Sequence, residues 1–234
     1  MKDQTVKKIT EKLEKAGLMP LRAQAELSEK LLSYRLESLL PELMEECGSD
    51  MWLIAAYENN EDPVMKTLLT YDMRTARRLS AILFCRDSET GRIDRLSWGI
   101  PSGIMKKYYT PIKQGNESLA QGVARMIKKY GPRAVEVNIK GEYGGFCDGL
   151  SASLYEELRN MPDGLGNLLK PCERLSTRWL ETMTCGELKV MEALVEVTED
   201  IIKASYSRGV ITPGRTTTED VEWFMRDVIN GCGM

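Results

Sequence analysis

Residues 178–229 read RWLETMTCGELKVMEALVEVTEDIIKASYSRGVITPGRTTTEDVEWFMRDVI, and two helices can be laid on them from spacing alone. Thr184 and Glu187 stand in the Ser/Thr-x-x-Glu relation of a capping box. There, hydroxyl and carboxylate each satisfy a backbone N–H left free at the first turn. Leu188, Met191, Leu194, Val195, Ile201 and Ile202 then recur at steps of three and four, one apolar face of a helix. Gly209 is a stop signal, and Pro213-Gly214 a turn. Thr216 and Glu219 repeat the capping-box spacing. Val221, Phe224, Met225, Val228 and Ile229 supply the second apolar face, and Gly231 is placed as a C-cap. Periodicity predicts an antiparallel helix pair and says nothing of chemistry.

Order and spacing together carry a resemblance. The segment from Thr177 to Gly231 resembles the opening of the catalytic domain in the creatinase/aminopeptidase P/prolidase metallopeptidases, the pita-bread family. There an Arg-x-Leu/Ile-Lys/Glu stretch, here Arg178-Trp179-Leu180-Glu181, precedes a helix of this pattern, and a Pro-Gly-x-Thr-Glu turn opens the next. Ile211 to Glu219, followed by Val221-Glu222-Trp223, is similar to the Xaa-Pro aminopeptidase-like branch.

The resemblance has definite implications. Catalysis in that family is two-metal hydrolysis, in which paired ions activate a bridging water and polarise the scissile carbonyl. The ligands are two Asp, one His and two Glu, and in family order all five follow the second helix. No catalytic, cofactor-binding or metal-ligating position is therefore expected in residues 1–234. A full-length relative is expected to carry two divalent ions (Mn, Co or Zn), to act on short Xaa-Pro peptides and to form a homo-oligomer, a dimer. The chain itself is expected to be the N-terminal portion, inactive alone, that assembles the oligomer and shapes access to the active site. The alternative is a free-standing, non-catalytic oligomerisation or partner-binding module.

Composition limits the rest. The chain has no histidine, which removes Ser-His-Asp and Cys-His catalysis and the commonest metal ligand. A net charge of −3 offers no basic excess for a phosphate backbone, so nucleic acid is not expected as a partner. No run of eighteen apolar residues exists, so no membrane span is expected. The charged stretch Met1 to Lys15 has no apolar segment of the signal-peptide kind, which points to the cytoplasm. The six cysteines, Cys47, Cys85, Cys147, Cys172, Cys185 and Cys232, form no C-x-x-C pair and read as reduced structural thiols.

Upstream, the pattern predicts helices over 2–16, 22–47, 118–130 and 151–161. Leu27, Leu31, Leu32, Leu36, Leu39 and Leu40 mark the buried stripe of the second, with Pro41 late in it. Strands are predicted at 51–57, 81–85, 93–98, 134–139 and 168–172. Asp87 to Gly91 is a hairpin turn between the second and third strands, and 101–116 is irregular. Strands alternating with helices give an α/β fold. The expected architecture is a creatinase/prolidase N-terminal-like domain, a mixed sheet flanked by helices, followed by two helices of a truncated pita-bread domain. The expected divisions are a helical extension over 1–19, the N-terminal-like domain over 20–176 and the pita-bread start over 177–234.

Five residues are candidates for lining an access channel or an interface. Glu61 and Asp62, before Pro63, form the best local carboxylate pair; they either meet a substrate amine or lie at a helix N-terminus, where negative charge is favourable. Arg74, Arg77 and Arg78 either grip a carboxylate through paired hydrogen bonds or form a solvated basic face. Gly141 to Gly149 has the glycines to cradle an anion but no P-loop Lys-Ser/Thr, and reads as a surface loop. Trp98 to Tyr109 gathers aromatic and Lys residues, for peptide or dimer contact or as a packed loop. The apolar face of the helix that Thr184 opens carries six large side chains, worth roughly 10 kcal/mol if buried. It is expected to be covered by the first domain, a second copy, or both.

Overall fold

The computed structural model describes residues 2–100, 103–140 and 148–233. It is an α/β structure with a mixed sheet flanked by helices. The helices are α1 (Lys2–Lys15), α2 (Leu21–Tyr34), α3 (Leu40–Glu46), α4 (Pro63–Leu68), α5 (Leu119–Tyr130), α6 (Ala152–Arg159), α7 (Glu173–Glu181), α8 (Cys185–Ser205) and α9 (Thr218–Gly231). Contacts divide the chain into two units, Leu32–Thr182 and the discontinuous pair Met1–Leu31 with Met183–Met234.

The first unit holds the sheet. Its strands are β1 (Met51–Tyr57), β2 (Leu79–Arg86), β3 (Ile93–Trp98), β4 (Thr110–Pro111), β5 (Val135–Val137) and β6 (Leu169–Pro171), in the order β4-β3-β2-β1-β5-β6. Only β2 runs against its neighbours; the β1–β5, β5–β6 and β3–β4 pairings are parallel. The apolar run of β1 reads without alternation because both faces of the strand are covered. Side-chain direction still alternates. Met51, Leu53 and Ala55 join Ala81, Leu83 and Cys85 in a core closed by α5 and α6. Trp52, Ile54 and Ala56 join Ile82 and Phe84 in a second core closed by α3, α4 and α7.

The structure corrects several local expectations. The helix expected over 22–47 is α2 and α3 joined by a π-helical turn, Arg35–Leu39. Pro41 has no N–H to give Glu37, and the widened turn lets it sit at the start of α3 without a clash. Residues 177–181, expected as a lead-in, are the second half of α7 (Glu173–Glu181), which buries Leu175 and Trp179. Arg35 in the π turn donates to the carbonyls of Trp179 and of Thr182 (3.0 Å), and its guanidinium lies 4.4 Å from the Trp179 ring. It thereby serves the free carbonyls at the end of α7, where positive charge is favourable. The stretch 101–116, expected to be irregular, contains a 3-10 turn at Ile104–Lys107 and the edge strand β4. Leu68 ends α4 and accepts, through its carbonyl, from the buried Tyr109 hydroxyl at 2.9 Å.

The second unit is helical. Ile9, Leu13, Val197, Ile201, Val228 and Cys232, from α1, α8 and α9, form one core, with Leu194, Phe224 and Met225 partly buried against it. Lys8 and Lys12 of α1 pair with Asp200 of α8 at 3.1 and 2.7 Å. Thr184 and Glu187 form the expected capping box. The box of α9 is Thr217 with Asp220, one residue beyond the expected Thr216 and Glu219. The cause is local: the Thr216 hydroxyl is already spent in the preceding turn, accepting from Thr212 N–H (2.9 Å) and donating to Val210 O (3.3 Å). α8 stops at Ser205, before Gly209. Gly231 is the last helical residue of α9, and the left-handed position falls to Gly233 (φ 73°). Among the described residues no helix is long and apolar enough to cross a membrane.

The apolar face of α8 is split. Val197 and Ile201 are buried in this core, whereas Leu188, Met191, Val195 and Ile202 are 47, 46, 51 and 44% exposed. At 3.6 residues per turn these four form a stripe roughly a third of a turn from the buried pair.

Candidate functional site

Every strand but β2 sends its carboxyl end to the same edge of the sheet. Open α/β sheets characteristically hold ligands in crevices outside that edge. Here a cleft of about 450 Å³ opens there. It is lined by Glu58 after β1, Arg77, Arg78 and Leu79 at the start of β2, Trp98 and Gly99 at the end of β3, and Lys113 after β4.

Backbone interactions fix the cleft. Glu58 N–H donates to Arg78 O at 2.6 Å, and Arg78 N–H donates to the Glu58 carboxylate at 3.2 Å. Arg78 is left-handed (φ 52°), which L side chains with a full Cβ adopt rarely. The buried Ser80 hydroxyl accepts from Arg77 N–H and donates to Arg77 O, both at 3.2 Å. Gly99 is also left-handed (φ 70°), and a Cβ there would stand 2.5 Å from Leu79 O. Lys113 Nζ lies 4.3 Å from the centre of the buried Trp98 ring, a cation–π distance. Among the described residues, none of the Arg77, Arg78 or Lys113 side chains is in an ion pair. Two arginines and a lysine lining one cleft suit an oxyanion.

The five candidates from the sequence do not form one site. Arg77 and Arg78 line the cleft. Arg74 is exposed and stands over the Tyr71 ring at 5.1 Å. The Glu61 carboxylate accepts from Asn59 N–H within its own loop at 3.3 Å. Asp62 is fully buried as the N-cap of α4, accepting from Val64 N–H (2.7 Å) and Met65 N–H (3.4 Å). The Asn138 amide donates to both Asp62 oxygens at 3.1 and 2.9 Å, and Asn138 in turn accepts from Trp52 Nε1 at 2.8 Å. Burial lifts the Asp62 pKa above the ordinary value; its hydrogen bonds pull the other way and leave it raised. Asp62 is thus enclosed in the fold. Of the Gly141 to Gly149 stretch, all but Asp148 and Gly149 lies outside the described residues.

Glu58, Gly99 and Lys113 carry no signal in the sequence, because only the sheet brings four separate segments together. Trp98 is covered by the aromatic-and-lysine stretch. Other groups offer less. Asp50 is held by Arg133 at 2.7 and 3.0 Å, which keeps its carboxyl below the usual range. Burial raises Glu136 beside it. Burial also pushes the Cys85 thiol to about 12 and raises Cys172, so neither supplies a thiolate near neutral pH. Among the described residues no group of three or more His, Cys, Asp or Glu is placed to hold a metal ion. Comparison with protein-family models, curated proteins and solved structures finds nothing that matches the chain.

Proposed function

We propose that this chain is the N-terminal portion of a creatinase/prolidase-like metallopeptidase of the Xaa-Pro aminopeptidase-like branch, acting in oligomer assembly and in shaping access to the active site. The mixed sheet covered on both faces and the Thr184–Glu187 box are compatible with that architecture. The observation that carries the assembly role is the stripe of Leu188, Met191, Val195 and Ile202 on α8. Four half-exposed large apolar side chains in a row are what an interface would cover. A second copy of the chain is the proposed occupant, giving a homodimer.

In this reading the hydrolysis of short Xaa-Pro peptides belongs to the parent enzyme with its two divalent ions, Mn, Co or Zn. A ligand set that includes a histidine needs residues this chain does not have. The setting is cytoplasmic. The test is to incubate the purified chain with each of the three ions and an Xaa-Pro peptide and follow cleavage by chromatography. No cleavage is expected; turnover abolished by a chelator would overturn the proposal. Reading the gene beyond codon 234 separates the two forms of the idea. A continuation carrying Asp, Asp, His, Glu and Glu supports the peptidase, and a stop codon the free-standing module.

A further inference from the structure

We infer that the cleft between Glu58, Arg77, Arg78, Trp98 and Lys113 binds a small ligand through one oxyanionic group, a carboxylate or a phosphate. This does not depend on the peptidase reading. Successive residues of an extended strand point to opposite sides. The left-handed turn at Arg78 breaks that alternation, and Arg77 and Arg78, successive residues, both line the same cleft. The turn is a disfavoured conformation for arginine, and it is held by two hydrogen bonds to one residue, Glu58. Lys113 enters from the far side of β3, packed on the Trp98 ring. Three cationic residues thus line about 450 Å³ of space, a volume suited to a small molecule, with no ion-pair partner among the described residues.

The site also sets a limit on its ligand. Glu58 lies on the same cleft with one oxygen taken by Arg78 N–H. A second negative group would meet it and be repelled. The fit is to one oxyanion attached to a hydrogen-bond donor that faces Glu58.

The experiment uses the full chain at low ionic strength, titrated separately with inorganic phosphate and with glycolate, which carries one carboxylate and one hydroxyl donor. The readout is the indole N–H resonance of Trp98, assigned with the Trp98→Phe variant. A saturable shift with either anion is expected; phosphate alone would mark a tetrahedral group, glycolate alone a planar one. Arg77→Gln combined with Lys113→Gln should weaken binding by about 10-fold or more, the scale of losing charge-assisted hydrogen bonds. Arg77→Lys keeps the charge but not the fork and should fall between. Glu58→Gln should tighten binding of both anions. No saturable shift with either anion, or unchanged affinity in folded Arg77→Lys and in the double variant, would overturn the inference.

Discussion

Replacing Gly149 with alanine tests how Asp62 is enclosed. A Cβ on residue 149 would stand 1.9 Å from Asp62 Oδ2, 2.2 Å from its Cγ and 2.6 Å from its Cβ. Real atoms do not approach so closely, and Asp62 has no solvent to retreat into. Either the carboxylate leaves its place or the 148–150 backbone moves. The first route removes the N-cap of α4, worth about 0.5–2 kcal/mol. It also strips the Asn138 amide of its acceptors; a buried group left so costs about 1–3 kcal/mol. The second route strains the hydrogen bonds of Gly149 and Leu150 N–H to Asn138 O, at 3.0 and 2.9 Å. The first route thus totals about 1.5–5 kcal/mol, which in a unit of this size lowers the melting temperature by roughly 3–20 °C. Thermal unfolding followed by near-UV circular dichroism reads it, since Trp52 belongs to the same network. On an Asp62→Gly background the alanine meets none of the three atoms, and its added cost should drop to about 1 kcal/mol or less. Equal losses on both backgrounds, or an unchanged melting temperature for Gly149→Ala, would refute the reasoning.

Other consequences follow from the same contacts. The pairs with Lys12 and Lys8 hold Asp200 below the usual carboxylate range. A lowered folded pKa gives stability that is present above the unfolded value and is lost as pH falls through the folded one. Asp200→Asn should therefore melt below the parent at neutral pH and match it in strong acid; a gap that persists in acid would contradict this. Tyr109→Phe leaves the Leu68 carbonyl without the Tyr109 hydroxyl and should cost about 1–2 kcal/mol in urea unfolding. In native-state alkylation mapped by mass spectrometry, the exposed Cys185 should label well before the buried Cys85 and Cys172. Early labelling of Cys85 would show its strand opening.

What the sequence reveals here depends on how local the cause is. Thr184 with Glu187 is legible because four residues contain the whole interaction. The α9 box slips by one because two further threonines stand beside Thr216, and only the turn decides which hydroxyl is free. β1 and β2 are legible because strands buried on both faces read as apolar runs; β3, buried only in its second half, is legible from its alternation and the hairpin turn before it. β4, at two residues and ending in Pro111, has no period to detect and belongs at an edge, where proline is tolerated. The π turn is a response to Pro41 that no periodicity announces. In the cleft, Arg77 and Arg78 are visible as charges, but Glu58, Gly99 and Lys113 join them only through sheet order. Asp62 is visible as a carboxylate before proline, while its enclosure depends on Asn138, seventy-six residues away.

The proposed assembly role is tested most directly by the mass of the chain in solution. Light scattering coupled to size exclusion should give about twice the 26.5 kDa of one chain. Val195→Glu, which places a charge in the middle of the α8 stripe, should return it to the mass of one chain without unfolding it. A parent chain that is monomeric at high concentration, or a Val195→Glu variant that stays dimeric, would contradict the account.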